Sequence, residues 1–158
     1  LIWNEFLNYP YFFCLKFGGV LLFGCMNIEE IKPKIAELAK KYGLSLVLLF
    51  GSQATGKTHP RSDVDIAFLA KKRLDLIDIA KLQMVFSETL RIKDLELVDI
   101  RNAGPLLLKQ IAGKSALLYQ KDPFSFYNFK IYALKIFMES KKIFDLQKLS
   151  FSKFLQKI

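Results

Sequence analysis

The stretch that decides the fold is LLFGSQATGKTHPRSDVDIAFL, residues 48–69. Its first part, from Gly51 to Thr58, matches G-x-x-x-x-G-K-[ST], the loop that holds ATP phosphates in P-loop NTPases. Its second part places two aspartates, Asp63 and Asp65, at the start of an apolar run. The two patterns predict different chemistry, because the first holds phosphates with backbone N–H groups and the second holds cations with carboxylates.

The P-loop interpretation requires a helix directly after Thr58, since the free N–H groups of that helix hold the phosphates. Here the residues HPRSD follow and lead at once into the strand-like run VDIAFLA, residues 64–70. A helix of even three turns has no room between them. The sequence therefore favours a strand–loop–strand connection, with the P-loop NTPase as the weaker alternative.

The aspartates themselves predict a metal site. Side chains alternate along a strand, so Asp63 and Asp65 project to the same face. Such paired carboxylates suit Mg²⁺, which also takes waters and substrate phosphates as ligands. We expect Asp99, in the run LELVDI on a neighbouring strand, to complete a site for two ions. Two ions about 3.5–4 Å apart can activate a hydroxyl and stabilise a leaving pyrophosphate.

Gly51 and Ser52 precede the aspartates and complete the pattern. The glycine allows the backbone to turn tightly against a phosphate, and the serine adds a hydroxyl donor beside its own N–H. Taken singly, each of these residues fits an ordinary turn or a solvated strand edge. Their joint spacing between two apolar runs favours a nucleotide and metal site.

Composition indicates a globular chain of 158 residues, 52% apolar and 25% charged, sized for one domain. The net charge of +9 fits an anionic partner (a nucleotide, a nucleic acid or an acidic protein surface) or a solvated basic surface. Two cysteines, Cys14 and Cys25, and one histidine, His59, exclude a disulfide framework and a Cys- or His-rich metal site. This cysteine usage fits a cytoplasmic location.

The first 25 residues differ from the rest. They are apolar and aromatic but interrupted by Lys16, and they are too short and broken for a membrane-spanning helix. They also lack the basic start of a signal peptide. Because Met26 opens a typical helical sequence, we interpret residues 1–25 as an upstream extension that is not part of the native protein. The alternative is a membrane-contacting or partner-binding arm.

From Met26 onward the chain alternates helical and extended patterns. The predicted strands are apolar runs between turn residues, at 44–50, 64–70, 95–100 and 116–119. The predicted helices have apolar residues at helical spacing, at 27–43, 75–91, 104–113 and from 123 onward. No linker divides them, which predicts one domain, 26–145, and a basic amphipathic tail, 146–158. The aromatic residues between 124 and 154 fit a core or partner-docking face better than base stacking.

The motif LFGSQATGKTHPRSDVDIAFL followed by LELVDI resembles the polymerase-beta-like nucleotidyltransferase superfamily. Within it, residues 26–145 resemble the minimal nucleotidyltransferases of the MntA type. The ten residues between Gly51-Ser52 and Asp63 are specific to the superfamily, and the match to the MntA type is weaker. The resemblance implies an α/β fold with a small mixed sheet flanked by helices.

The resemblance also implies a role for each residue of the motif. Gly51 and Ser52 hold the nucleotide phosphates. Asp63 and Asp65 bind both Mg²⁺ ions. Asp99 binds the catalytic ion and helps to deprotonate the acceptor hydroxyl, so that these three aspartates are the catalytic and metal-binding residues.

One position departs from the family pattern. Gln53 follows Gly-Ser where the family often has an arginine. Lys57 or Arg61 is the candidate to supply the missing positive charge to the nucleotide, and the sequence leaves the choice between them open.

Minimal proteins of this type act as antitoxins of HEPN-domain ribonuclease toxins. The resemblance thus implies a hetero-oligomer with a HEPN toxin and transfer of AMP from ATP to a toxin tyrosine. It implies neither a nucleic acid as main partner nor a membrane. Two alternatives remain, namely an antitoxin that acts by contact alone and a nucleotidyltransferase that modifies small molecules.

Overall fold

The computed structural model describes residues 28–55 and 63–155. Its helices and strands follow in the order α1 Ile28–Lys41, β1 Leu44–Phe50, α2 Gly51–Thr55, β2 Val64–Ala70, α3 Leu76–Leu90, β3 Leu95–Asp99, α4 Pro105–Gly113, β4 Ala116–Gln120 and α5 Ser125–Leu155. The predicted strands and helices are confirmed, with ends that differ by a few residues. The segment predicted as a tail is a continuation of α5 as far as Leu155.

Three predictions fall outside the described residues. They concern the N-terminal extension, residues 1–25, and the two candidate cations Lys57 and Arg61. No helix within residues 28–55 and 63–155 combines the length and the hydropathy needed to cross a membrane.

The sheet has four strands in the order β3-β2-β1-β4. Strand β1 runs antiparallel to β2 and β4, whereas β2 and β3 are parallel and are joined through α3. The small mixed sheet is therefore confirmed. Because β2 lies antiparallel beside β1, the two strands on either side of the motif are not a strand and the long helix that a P-loop connects, and the P-loop alternative is excluded.

Helices cover both faces of this sheet, which explains why β1 is apolar at every position except Ser45. Val47 and Leu49 face a core completed by α1 and α3. Leu46, Leu48 and Phe50 face a second core completed by α4 and α5. The two cores make a three-layer arrangement with the sheet in the middle.

Side-chain hydrogen bonds fix the start of α3 and the turn after β3. Asp75 caps α3, since its Oδ1 accepts the N–H of Asp78 at 2.7 Å. The Arg101 guanidinium donates to the carbonyl oxygens of Ala70 at 2.6 Å and Lys71 at 3.1 Å. This second contact ties the end of β2 to the turn that follows β3.

Candidate active site

Two carboxylates lie side by side where β2 and β3 begin. Asp65 is in register with Phe50 at the end of β1 and with Glu96 near the start of β3. Paired residues of neighbouring strands point to the same face, here the face that Ala67 shares with α4 and α5. Asp63 precedes Asp65 by two residues and is exposed. Extended-chain alternation places it on the same side.

The pKa of the Asp65 carboxyl group is shifted by burial and by two neighbouring acidic residues. Partial burial raises its pKa above the usual range, and the negative charges of Glu96 and Asp63 raise it further. Glu96 and Asp63 are thus each close enough to repel the negative charge of Asp65. A divalent cation relieves such repulsion, because it stabilises the ionised form of each carboxylate.

The donor chemistry of this site fits Mg²⁺. In the part of the chain that the structure describes, no three acidic, histidine or cysteine side chains are gathered tightly enough to hold a metal alone. Mg²⁺ is usually held by one or two carboxylates together with substrate phosphates and waters, so a dedicated protein cage is not required. Asp65, flanked by Asp63 and Glu96, supplies that kind of partial ligand set.

Asp99 does not join this group, which corrects the prediction. It pairs with Phe68, and alternation along β3 turns its side chain to the face opposite Glu96. It is only 6% exposed, and its oxygens accept from the Arg101 N–H at 3.0 Å and from Asn102 Nδ2 at 3.3 Å. Its carboxylate therefore closes the turn after β3.

Gly51 holds the backbone against the Asp65 carboxylate. Its φ is +73°, and a Cβ atom placed on it would lie 1.9 Å from Asp65 Oδ2 and 2.9 Å from Asp65 Cγ. No other residue type fits there without moving the carboxylate. The glycine that the sequence assigns to phosphate binding thus also positions a predicted metal ligand.

A cleft of about 740 Å³ opens beside these residues, which is within the range of about 300–1,000 Å³ typical of small-molecule sites. Its walls are Gly51, Ser52 and Asp65 on one side and Leu106, Lys109, Gln110, Gly113 and Lys114 of α4 and its end on the other. Three of the predicted site residues therefore share one cleft.

Sequence reasoning missed the two lysines of this cleft and the carboxylate of Glu96. The Nζ atom of Lys109 lies 3.9 Å from the centroid of the Phe137 ring on α5. The run LELVDI did contain a signal for Glu96: its two acidic residues are three positions apart, so they face opposite sides of a strand. Only the register with β2 shows which of them faces Asp65.

The family model described as polymerase beta, nucleotidyltransferase matches residues 33–124, which is more than half of the chain. The chain belongs to this family. The polymerase-beta-like nucleotidyltransferase fold predicted from the motif is thereby confirmed. The matched segment contains the whole cleft, from the end of β1 to the end of α4.

The nucleotidyltransferase is 38% identical over 76 residues to the protein adenylyltransferase MntA of Shewanella oneidensis, covering 48% of this chain and 54% of that protein. A chain of a toxin–antitoxin crystal structure with AMP-PNP is 30% identical, with a TM-score of 0.63, and the match covers 72% of this chain and 95% of that one. A chain from the structure of a tri-AMPylated Shewanella oneidensis HEPN toxin in complex with MNT antitoxin is 27% identical, with a TM-score of 0.60. This match covers 75% of the present chain and 96% of the other.

The contact between Gly51 and Asp65 leads to a first prediction. Gly51→Ala is expected to lower nucleotidyl transfer by about 100-fold, the loss typical of a displacement of about 1 Å in a reacting constellation. Left-handed backbone costs a non-glycine residue about 1–2 kcal/mol, so stability also falls. Gly43→Ala is the matched control, because Gly43 has a φ of +66° and no atom within 4 Å of the added Cβ. If both variants lose equal activity, backbone strain alone explains the effect.

Proposed function

We propose that this nucleotidyltransferase is an Mg²⁺-dependent protein adenylyltransferase and the antitoxin of a HEPN toxin. It would transfer AMP from ATP to a tyrosine hydroxyl of that toxin. The observation that carries the proposal is the placement of Asp65 beside Glu96 at a cleft that also contains Gly51 and Ser52. The names of the similar proteins, an adenylyltransferase and an antitoxin bound to an AMPylated HEPN toxin, support the acceptor.

Each group at the cleft has a part in the proposed reaction. Gly51 and Ser52 bind the triphosphate, and Asp63, Asp65 and Glu96 would hold two Mg²⁺ ions. When bound, Mg²⁺ supplies neutralisation of the charge that develops on pyrophosphate. Glu96 takes the position that was predicted for Asp99.

The reaction itself is a displacement at the α-phosphorus of ATP. The acceptor oxygen forms a bond to this phosphorus, and the bond from phosphorus to the bridging oxygen breaks as pyrophosphate leaves. The proton of the hydroxyl passes to a carboxylate beside the cleft, and Glu96, which is exposed and paired with the cleft residue Asp65, is placed to accept it. Lys109 and Lys114 lie on the opposite wall and provide positive charge toward the triphosphate.

The test uses ATP labelled at the α- or the γ-phosphate, Mg²⁺ or a chelator, and a purified HEPN toxin as the acceptor. We expect α-label on the toxin and release of pyrophosphate, both lost with the chelator. Inorganic phosphate without α-label would contradict nucleotidyl transfer. A stable complex without either product would show an antitoxin that acts by contact alone.

A cytoplasmic location stays a prediction.

The raised pKa of Asp65 predicts a stability change in the absence of metal. Between its ordinary and its raised pKa, this carboxyl binds more protons in the folded than in the unfolded state, so its contribution to stability decreases as pH rises through the folded pKa. At neutral pH the ionised group is destabilising. Asp65→Asn is therefore expected to raise Tm in chelator at pH 7, and this advantage shrinks toward acidic pH.

Thermal unfolding of both forms across pH, with chelator or with Mg²⁺, measures this effect. Mg²⁺ is expected to raise the Tm of the native sequence more than that of Asp65→Asn, since a ligand stabilises the state that binds it. An Asp65→Asn Tm below that of the native sequence in chelator at pH 7 would show that the ionised carboxylate is stabilising.

A further inference from the structure

Helix α5 presents an apolar surface to solvent that no described element covers. It consists of Tyr127, Ile131, Leu134 and Met138 of the helix, together with Phe124 just before it, and we call these five residues the outer stripe. Their side chains are between 55% and 69% exposed. Successive members are alternately three and four residues apart, which places them on one face of a helix.

The packing of α5 against the sheet does not involve the residues of the outer stripe. The helix packs on α4 and the sheet through its buried Phe129 and Ala133. Ile131 is two residues from each of them, which corresponds to a rotation of about 200° around a helix with 3.6 residues per turn. The helix therefore has two apolar faces, and the core accounts for only one of them. A contiguous exposed apolar surface of this kind marks an interaction site.

The spacing of the outer stripe indicates that its partner is a helix. Apolar residues that alternate at three and four positions form the seam of a two-helix contact, in which side chains of one helix fill holes on the other. Helix-in-groove recognition uses the same spacing of anchors. Two heptads of this pattern are present, from Phe124 to Met138.

The charged residues beside the outer stripe indicate which kind of helix can bind there. Lys130 and Lys141 flank the outer stripe on one side, and Lys135 and Lys142 flank it on the other, all exposed. The nearby Glu139 is already paired with Lys135, with Nζ and Oε1 3.9 Å apart. A second copy of this chain would bring lysines against lysines, which is unfavourable at such flanking positions. A helix edged by Glu and Asp is complementary.

The outer stripe also ends close to the cleft. Met138, its last member, is adjacent to Phe137, whose ring contacts the ammonium of the cleft residue Lys109 at 3.9 Å from the centroid. The end of the stripe is therefore one residue away from a side chain that contacts the α4 wall of the cleft.

We propose that the outer stripe of α5 is the docking surface for the acceptor protein, which binds it with one amphipathic helix whose apolar seam is edged by acidic residues. This inference rests on the proposed function for the identity of the acceptor. The surface itself follows from the exposure, spacing and charge of the stripe.

Two designed helical peptides test the surface without any reaction. Both carry leucine at the seam positions, but one has glutamate and the other lysine at the flanking positions. With the full chain, we expect the acidic-edged peptide to bind at least about tenfold more tightly in fluorescence anisotropy. Ile131→Glu and Leu134→Glu are each expected to weaken this binding by at least about tenfold, as for a buried apolar anchor. Ile77→Glu on α3, where the isoleucine is 65% exposed, is the matched control.

Transfer assays with the HEPN toxin extend the test. The stripe variants are expected to raise KM for the toxin and to leave ATP binding unchanged. Equal binding of the two peptides would overturn the proposal. So would a dimer of the chain, measured by sedimentation, that Ile131→Glu dissociates. Selective peptide binding without any AMP transfer would support the docking surface and contradict the proposed function, so the two failures are distinguishable.

Discussion

AMP transfer by the Asp65→Asn variant is expected to fall by at least about 1,000-fold. Asparagine keeps the shape of the side chain but removes the negative charge that, in the proposed function, holds Mg²⁺ beside the triphosphate. Metal ions contribute several kcal/mol to charge stabilisation in such transition states, and each 1.36 kcal/mol corresponds to about a tenfold change in rate. The initial rate of α-label incorporation at saturating ATP and Mg²⁺ measures the loss.

Asp78→Asn is the matched control for this variant. Asp78 is an exposed aspartate in the first turn of α3, which packs on the other face of the sheet. Its replacement is expected to leave the transfer rate within about twofold, as for a surface position. Comparable transfer rates for Asp65→Asn and the control would contradict a role of Asp65 in binding the metal.

Glu96→Gln is expected to lower AMP transfer by at least about 100-fold, the loss that follows removal of one preorganised charge-stabilising group. Asp99→Asn is expected to keep most of the activity and to lose stability instead. Asparagine has one acceptor oxygen where Asp99 has two, so it cannot accept from both the Arg101 N–H and Asn102 Nδ2, and one partly buried hydrogen bond is lost at a cost of about 1–3 kcal/mol. The two variants thus separate catalysis from folding.

Transfer rates and thermal unfolding of these two variants are measured side by side. The result that contradicts the structure is the reverse pattern, in which Asp99→Asn abolishes transfer at unchanged Tm and Glu96→Gln remains active. Asp94→Asn provides a control for a change of charge near the start of β3, since it is the backbone oxygen of Asp94 that accepts the Val64 N–H.

Much of the fold follows from local patterns in the sequence. The strands are apolar runs bounded by turn residues, and β1 is apolar at every position except Ser45 because both of its faces are buried. The pairing of β1 with β2 as neighbours was predictable because HPRSD leaves no space for a helix of three turns between Thr58 and Val64. These features depend on neighbours in the sequence, where propensity and periodicity carry the information.

Features that depend on contacts between distant segments were not predictable. The choice between Glu96 and Asp99 depends on the register of β3 beside β2, which a single strand does not reveal. Lys109 and Lys114 reach the cleft because α4 packs across from the β1–α2 turn. The apolar residues of α5 have helical spacing on two faces of the helix. Only the packing of the helix shows that Phe129 is buried while Ile131 is exposed.

The close approach of Gly51 to Asp65 has a consequence for the freedom of this chain to vary. A Cβ at position 51 and the carboxylate at position 65 would occupy the same volume. Any larger residue at the first position therefore requires a smaller or displaced side chain at the second. A descendant sequence that keeps the carboxylate in its present position must keep the glycine, so substitutions at the two positions depend on each other.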